Sequence, residues 1–211
     1  MKKFSNVIGV VLLGAASLTF GSAFAGTISG QDGFGNPTLP GATAVIDFNS
    51  QANATFSTLA LSGVTFTGVG GNLRTDNSYP NNYNGRGARY MDNNAGSTAS
   101  IRFDFASAVS GFAFNWGASD IQWTLSSFDA LNNLIGSFAA PITHASNAGD
   151  YIGLTGVGIK YATLTASGGD WIFIDNFTIA GSNGNNVPEP ATIALLGLGL
   201  LGFAAARRRK Q

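Results

Sequence analysis

Ser100-Ile101-Arg102-Phe103-Asp104-Phe105 alternates apolar and charged side chains without interruption. In an extended chain successive side chains point to opposite faces, so Ile101, Phe103 and Phe105 face inward and Arg102 and Asp104 outward. This stretch predicts a half-buried β-strand. Working outward, Phe112, Phe114 and Trp116 repeat the alternation one strand later. Residues 121–126 and 134–138 flank Asp129-Ala130-Leu131-Asn132-Asn133, which reads as a hairpin turn. Residues 44–48 and 63–67 are short β-branched and aromatic runs between Gly, Asn and Ser clusters. Residues 159–165 and 171–179 complete the set. The last run sets Trp171, Phe173, Phe177 and Ile179 against Ile172 and Ile174, apolar on both faces, and so predicts a central strand.

Between residues 26 and 180 no stretch sustains a 3.6-residue apolar period over three turns. Eight to ten short strands with Gly/Asn turns predict an all-β fold, an antiparallel β-sandwich of the jelly-roll type. The polar stretch 73–87 is expected to form a long exposed loop, and Trp116, Trp123 and Trp171 to sit in strands as core. No repeat of 20–50 residues suggests a solenoid or propeller.

The 211 residues carry 11 basic and 11 acidic side chains, no cysteine and one histidine, His144. Without cysteine there is no disulfide framework, thiolate metal site or cysteine nucleophile. The formal zero is unevenly spread. Lys2 and Lys3 open the chain and Arg207, Arg208, Arg209 and Lys210 close it. Between residues 26 and 187 five basic side chains face ten aspartates, a net of −5 with no basic patch, which argues against nucleic acid as a partner.

Both ends read as addresses. Residues 1–25 have a basic start, an apolar stretch and Ala23-Phe24-Ala25 ahead of Gly26, the pattern of a signal peptide that passes the Sec translocon and is cut by signal peptidase. At the other end a polar linker, residues 181–187, precedes Val187-Pro188-Glu189-Pro190, an apolar run over 191–206 and the terminal basic cluster. Sixteen helical residues span about 24 Å, enough with snorkelling arginines for a short single transmembrane helix. The basic cluster would stay cytoplasmic and the folded domain would lie on the other side.

The ending over residues 188–211 resembles the PEP-CTERM sorting signal of Gram-negative bacteria. The resemblance implies recognition by an exosortase, a membrane-embedded cysteine-type transpeptidase that cuts at or near Pro-Glu-Pro. It also implies transient membrane anchoring, then delivery to the cell surface or an exopolysaccharide-rich matrix. The order of the runs at 45–48, 111–114 and 174–177 resembles jelly-roll domains of bacterial carbohydrate-binding modules.

The residues offer few constellations for catalysis. A glycosidase would need two carboxylates across a sugar, and no spacing among the aspartates selects a pair. A Ser-His-Asp triad would have to use His144, which lies in an Ala/Ser/Thr/Asn-rich stretch and reads as an exposed loop residue. Gly68-Val69-Gly70-Gly71 lacks the lysine of a phosphate loop, and no EF-hand is complete. Asp47 and Asp175 are acids inside apolar runs of an early and the last strand. If those strands are neighbours, the pair could hold a structural Ca²⁺. Tyr79, Tyr83 and Tyr90 lie among Asp76, Asn and Arg residues, a mixture suited to stacking on sugars. Three functions stay open: a non-enzymatic sandwich associated with exopolysaccharide and biofilm, a secreted hydrolase using two aspartates, and an inert matrix protein.

Overall fold

The computed structural model describes residues 25–33 and 35–181. Every regular element among them is a strand: β1 (Gly26–Gln31), β2 (Ala42–Ile46), β3 (Ala54–Phe56), β4 (Thr58–Leu61), β5 (Val64–Gly68), β6 (Leu73–Asp76), β7 (Tyr90–Asp92), β8 (Ser100–Gly117), β9 (Trp123–Phe128), β10 (Leu134–Ala140), β11 (Asp150–Ala166) and β12 (Phe173–Gly181). Ala25 and Gly26 lie at the threshold of β1. Ala23 and the rest of the leader lie outside the described residues. So do Val187-Pro188-Glu189-Pro190, the apolar run and the basic cluster.

All strand pairs are antiparallel, and two layers share β8 and β11. In one layer the first half of β8 lies between the second half of β11 and β5, with β9, β10 and β4 farther out. In the other, the second half of β8 lies between the first half of β11 and β12. There β1 extends beyond β11, while β2 and the β7-β6-β3 ladder extend beyond β12. Both long strands change layer at register breaks near Val109 and Ile159. The expected eight to ten short strands are therefore twelve. The runs at 100–105 and 112–116 belong to one 18-residue strand, because Ala106-Ser107-Ala108-Val109-Ser110 contains nothing that stops pairing through the bend.

The core lies between the layers. Phe177 of β12 sits 5.1 Å from both Phe66 and Phe103, ring centre to ring centre, and 5.4 Å from Phe114. Trp116 and Trp123 meet edge to face at 6.0 Å. All six are fully buried. Each such side chain contributes roughly 1.5–3 kcal/mol through the water it gives up.

The last strand is central, as its two apolar faces predict, but its alternation is broken. Asp175 pairs with Asn115 and Thr178 with Ala113, so β12 carries one residue more than β8 across this interval. The bulge falls at Asn176, whose φ of 43° is a left-handed value that Asn tolerates better than most residues. It keeps Ile174 and Phe177 inside together and leaves Phe173 and Asp175 on the outer face. The simple alternation that grouped Phe173 with Phe177 is thereby corrected.

The stretch 73–87 also departs from expectation. It begins as β6 and returns to the protein at Asn84, Gly85 and Arg86, all buried. Asn84 donates to the Trp116 carbonyl at 2.8 Å and to Asp150 at 3.0 Å. The Arg86 guanidinium lies beside Asp32 at 3.8 Å. Gly117 makes room for this return: a Cβ there would fall 1.6 Å from the Tyr83 carbonyl oxygen. The polar side chains are buried because distant strands supply their partners.

Candidate functional site

Once the bulge has turned Phe173 outward, aromatic rings collect on it. Tyr90 stacks on Phe173 at 4.0 Å, Tyr83 meets it edge-on at 5.1 Å and Trp171 at 5.2 Å. Tyr79 adds edge contacts to Trp171 at 5.4 Å and Tyr83 at 5.8 Å. Trp171 precedes β12 rather than lying in a strand, and it is half-buried rather than core. The Arg74 guanidinium lies 5.7 Å from its ring centre.

This cluster forms one wall of a cleft of about 260 Å³ lined by Tyr83, Trp171, Phe173, Ala118, Asp120 and His144. The opposite wall is two loops tied together. Ser119 and Thr143 exchange backbone and hydroxyl hydrogen bonds, including Thr143 N–H to the Ser119 hydroxyl oxygen at 3.0 Å. The Asp170 carboxylate accepts the Asp120 N–H at 3.1 Å and the Trp123 indole N–H at 2.8 Å, fixing the loop from beneath. On this wall His144 Nδ1 lies 2.8 Å from the Asp120 carboxylate, both side chains about 70% exposed. Tyr83, Ala118 and His144 have φ of 53°, 64° and 47°. Left-handed backbone is costly for these residue types and collects where surrounding structure holds a site in shape.

The tyrosine group of the sequence reading is divided. Tyr79 and Tyr83 reach the cleft region, whereas Tyr90 is about 1% exposed and offers no free ring face. Burial, with Asp76 close by, pushes its hydroxyl upward from the usual phenol range. Asp76 is also buried, accepting from Asn77 N–H and the Ser78 hydroxyl and paired with Arg74 at 3.0 Å. Burial would raise its carboxyl, but these partners outweigh it and hold it below the ordinary value. Tyr90 and Asp76 thus support the aromatic wall from behind. The sequence did not single out Asp120 or Phe173, and it set His144 aside as an exposed loop residue. Exposed it is, but residues far apart in the chain bring it to Asp120.

Asp47 and Asp175 do approach one another, because β2 pairs with β12 with Ile46 opposite Phe177. Asp47 is exposed at the end of β2 and accepts its own turn's Asn49 N–H at 3.2 Å. Asp175 is fully buried, and its two oxygens accept the backbone N–H groups of Arg86 and Asn176. Burial pushes the Asp175 carboxyl well above the ordinary range, the Arg86 and Asn176 N–H groups oppose that shift, and Asp47 adds to it. Calcium takes about six to eight oxygen ligands. Here N–H donors and a guanidinium face the buried carboxylate, and no group of three His, Cys, Asp or Glu side chains gathers among the described residues. The residues present do not by themselves make a calcium cage; Asp175 instead clamps the returning loop.

Residues 186–210 match the PEP-CTERM protein-sorting motif. No curated protein matches the chain. Among solved structures, a mutant of a family 29 carbohydrate-binding module is 12% identical, covering 80% of this chain and 99% of its own, with a TM-score of 0.30. TmCBM61 in complex with β-1,4-galactotriose is 15% identical over 56% of this chain and 88% of its own, at 0.29. A DUF4465 family protein from Bacteroides caccae is 10% identical over 80% and 97%, at 0.35.

Proposed function

We propose that this is an exported, non-enzymatic sugar-binding protein, delivered through the Sec translocon, signal peptidase and an exosortase to the cell surface or matrix, where it associates with exopolysaccharide in a biofilm. The single observation that carries the binding role is the cleft, with the half-buried rings of Trp171 and Tyr83 on one wall, backed by the buried Phe173, and the Asp120–His144 pair on the other. Pyranose rings offer apolar faces to aromatic rings and hydroxyls to a carboxylate and an imidazole. The volume, about 260 Å³, falls just below the usual ~300–1,000 Å³ range for ligand pockets, which suits roughly one or two sugar rings. The acidic balance of residues 26–187 and Asp120 at the cleft favour neutral sugars over uronates, since like charges repel.

Affinity electrophoresis through gels containing a neutral β-glucan, a neutral galactan or a polyuronate tests this. The protein should be retarded by a neutral polymer, and Trp171→Ala should weaken retention about tenfold or more, the equivalent of about 1.4 kcal/mol. Equal retention of the variant, or stronger retention by the polyuronate, would sink the proposal.

A further inference from the structure

The cleft and the chain ends occupy opposite ends of the sandwich. Gly26 pairs with Thr155, Thr155 with Gly111, and Gly111 with Ala180, so both ends of the described chain leave from one level across four strands. Gly117 and Phe173, beside the cleft, are partners at the other end of β8 and β12. Eight residue steps along β12 separate the two ends by roughly 26 Å.

Among the described residues the three most exposed large apolar side chains lie toward the chain-exit end: Leu131 at 80%, Val157 at 74% and Leu134 at 59%. Val157 occupies the irregular stretch of β11 between Thr155 and Ile159, whose partner Val109 also pairs with Gly181. Ile135 comes within 2.5 Å of where a Gly156 side chain would begin, bringing the start of β10 beside this stretch. Leu131 is held outward by a built turn. The Asp129 carboxylate accepts the N–H groups of Leu131 at 2.8 Å and Asn133 at 2.9 Å. Asp129 is thus engaged within the turn.

We infer that Leu131, Leu134 and Val157 form a membrane-facing tip that rests on the lipid surface while the chain is anchored, with the cleft presented away from it. The inference rests on the anchored precursor implied by the sorting motif. Only nine residues separate Gly181 from the apolar run beginning at Ala191. Even fully extended they reach about 30 Å, so the exit end stays close to the bilayer. Three side chains offer far less than the roughly 800 Å² per partner of a stable dimer, which argues for lipid rather than a second copy. Small apolar tips of this kind seat in the headgroup boundary.

The chain has no cysteine, so single introduced thiols can be labelled without background. The full chain with Val157→Cys or Ala145→Cys, each carrying an environment-sensitive dye, is reconstituted into phosphatidylethanolamine/phosphatidylglycerol vesicles containing nitroxide lipid. The label at position 157 should shift to the blue and be quenched several-fold more than that at position 145, beside the cleft. Equal quenching in chains that float with the vesicles overturns the docked tip alone. Failure of both chains to float overturns the anchor and the tip together.

Discussion

Phe177 and Trp171 stand six residues apart and end in opposite circumstances. Phe177 is sealed among rings from both layers, where its value is the water it excludes. Trp171 belongs to a second aromatic cluster, equally well contacted, that lines an open cleft. Ring–ring geometry does not separate the two, since both clusters contain edge-to-face and stacked pairs. What separates them is the bulge at Asn176, with which Phe173 faces out and Phe177 faces in. The same residue class makes a core on one side of a strand and the wall of a cleft on the other.

The sharpest way to break this comparison is Phe177→Ala. Removing a ring packed from both layers should cost about 3–5 kcal/mol, read as a lowered urea midpoint. An unchanged midpoint would mean that the layers do not depend on this contact. Asn176→Val acts on the divider itself. A β-branched residue at a left-handed φ should lose about 1–2 kcal/mol and also weaken polysaccharide retention, because the bulge aims Phe173. Loss of stability with full retention would detach the bulge from the cleft.

A smaller, pH-dependent effect is expected at Asp175, which clamps the loop carrying Tyr83. Burial raises its native proton affinity above that of the unfolded chain. Its contribution is therefore fully present below the unfolded carboxylate range and is lost as pH rises through the raised native value. Asp175→Asn cannot titrate. The stability difference between wild type and variant, measured in chelator, should shrink as pH rises from about 4 to about 8. A difference that widens would mean that the Arg86 and Asn176 N–H groups hold the carboxylate ionised in spite of its burial. The smallest effect belongs to the cleft's polar wall. His144→Ala removes an exposed pair and should move stability by less than about 1 kcal/mol while reducing retention. A larger stability loss would make the pair structural rather than part of the binding wall.

Much of the fold was legible where a strand has one wet face. The alternation at 100–105 and the turn at 129–133 appear as read, because period-two patterning states directly which side is buried. The last strand was legible as central but not in its facing, since an apolar run on both sides carries no mark of a one-residue insertion. Asn176 was the available signal, and Asn occurs in too many turns here to single it out. The stretch 73–87 misled for a related reason. Its polarity described its side chains, while burial of Asn84 and Arg86 depended on Trp116, Asp150 and Asp32, none of them nearby in the chain. Of the site, Tyr79 and Tyr83 were legible as aromatics in a polar setting. Asp120 and His144 were not, because they stand 24 positions apart with a hairpin between them.

By itself the sequence determined the sorting motif near its C-terminal end, the all-β character and most of the inward-facing residues. These are local properties, carried by composition and by the period of a few consecutive side chains. Only the tertiary structure decided which aromatics stay dry, which carboxylates are spent on holding loops, and where a cleft opens. Those outcomes depend on register and on partners brought from far along the chain, and no local period records either.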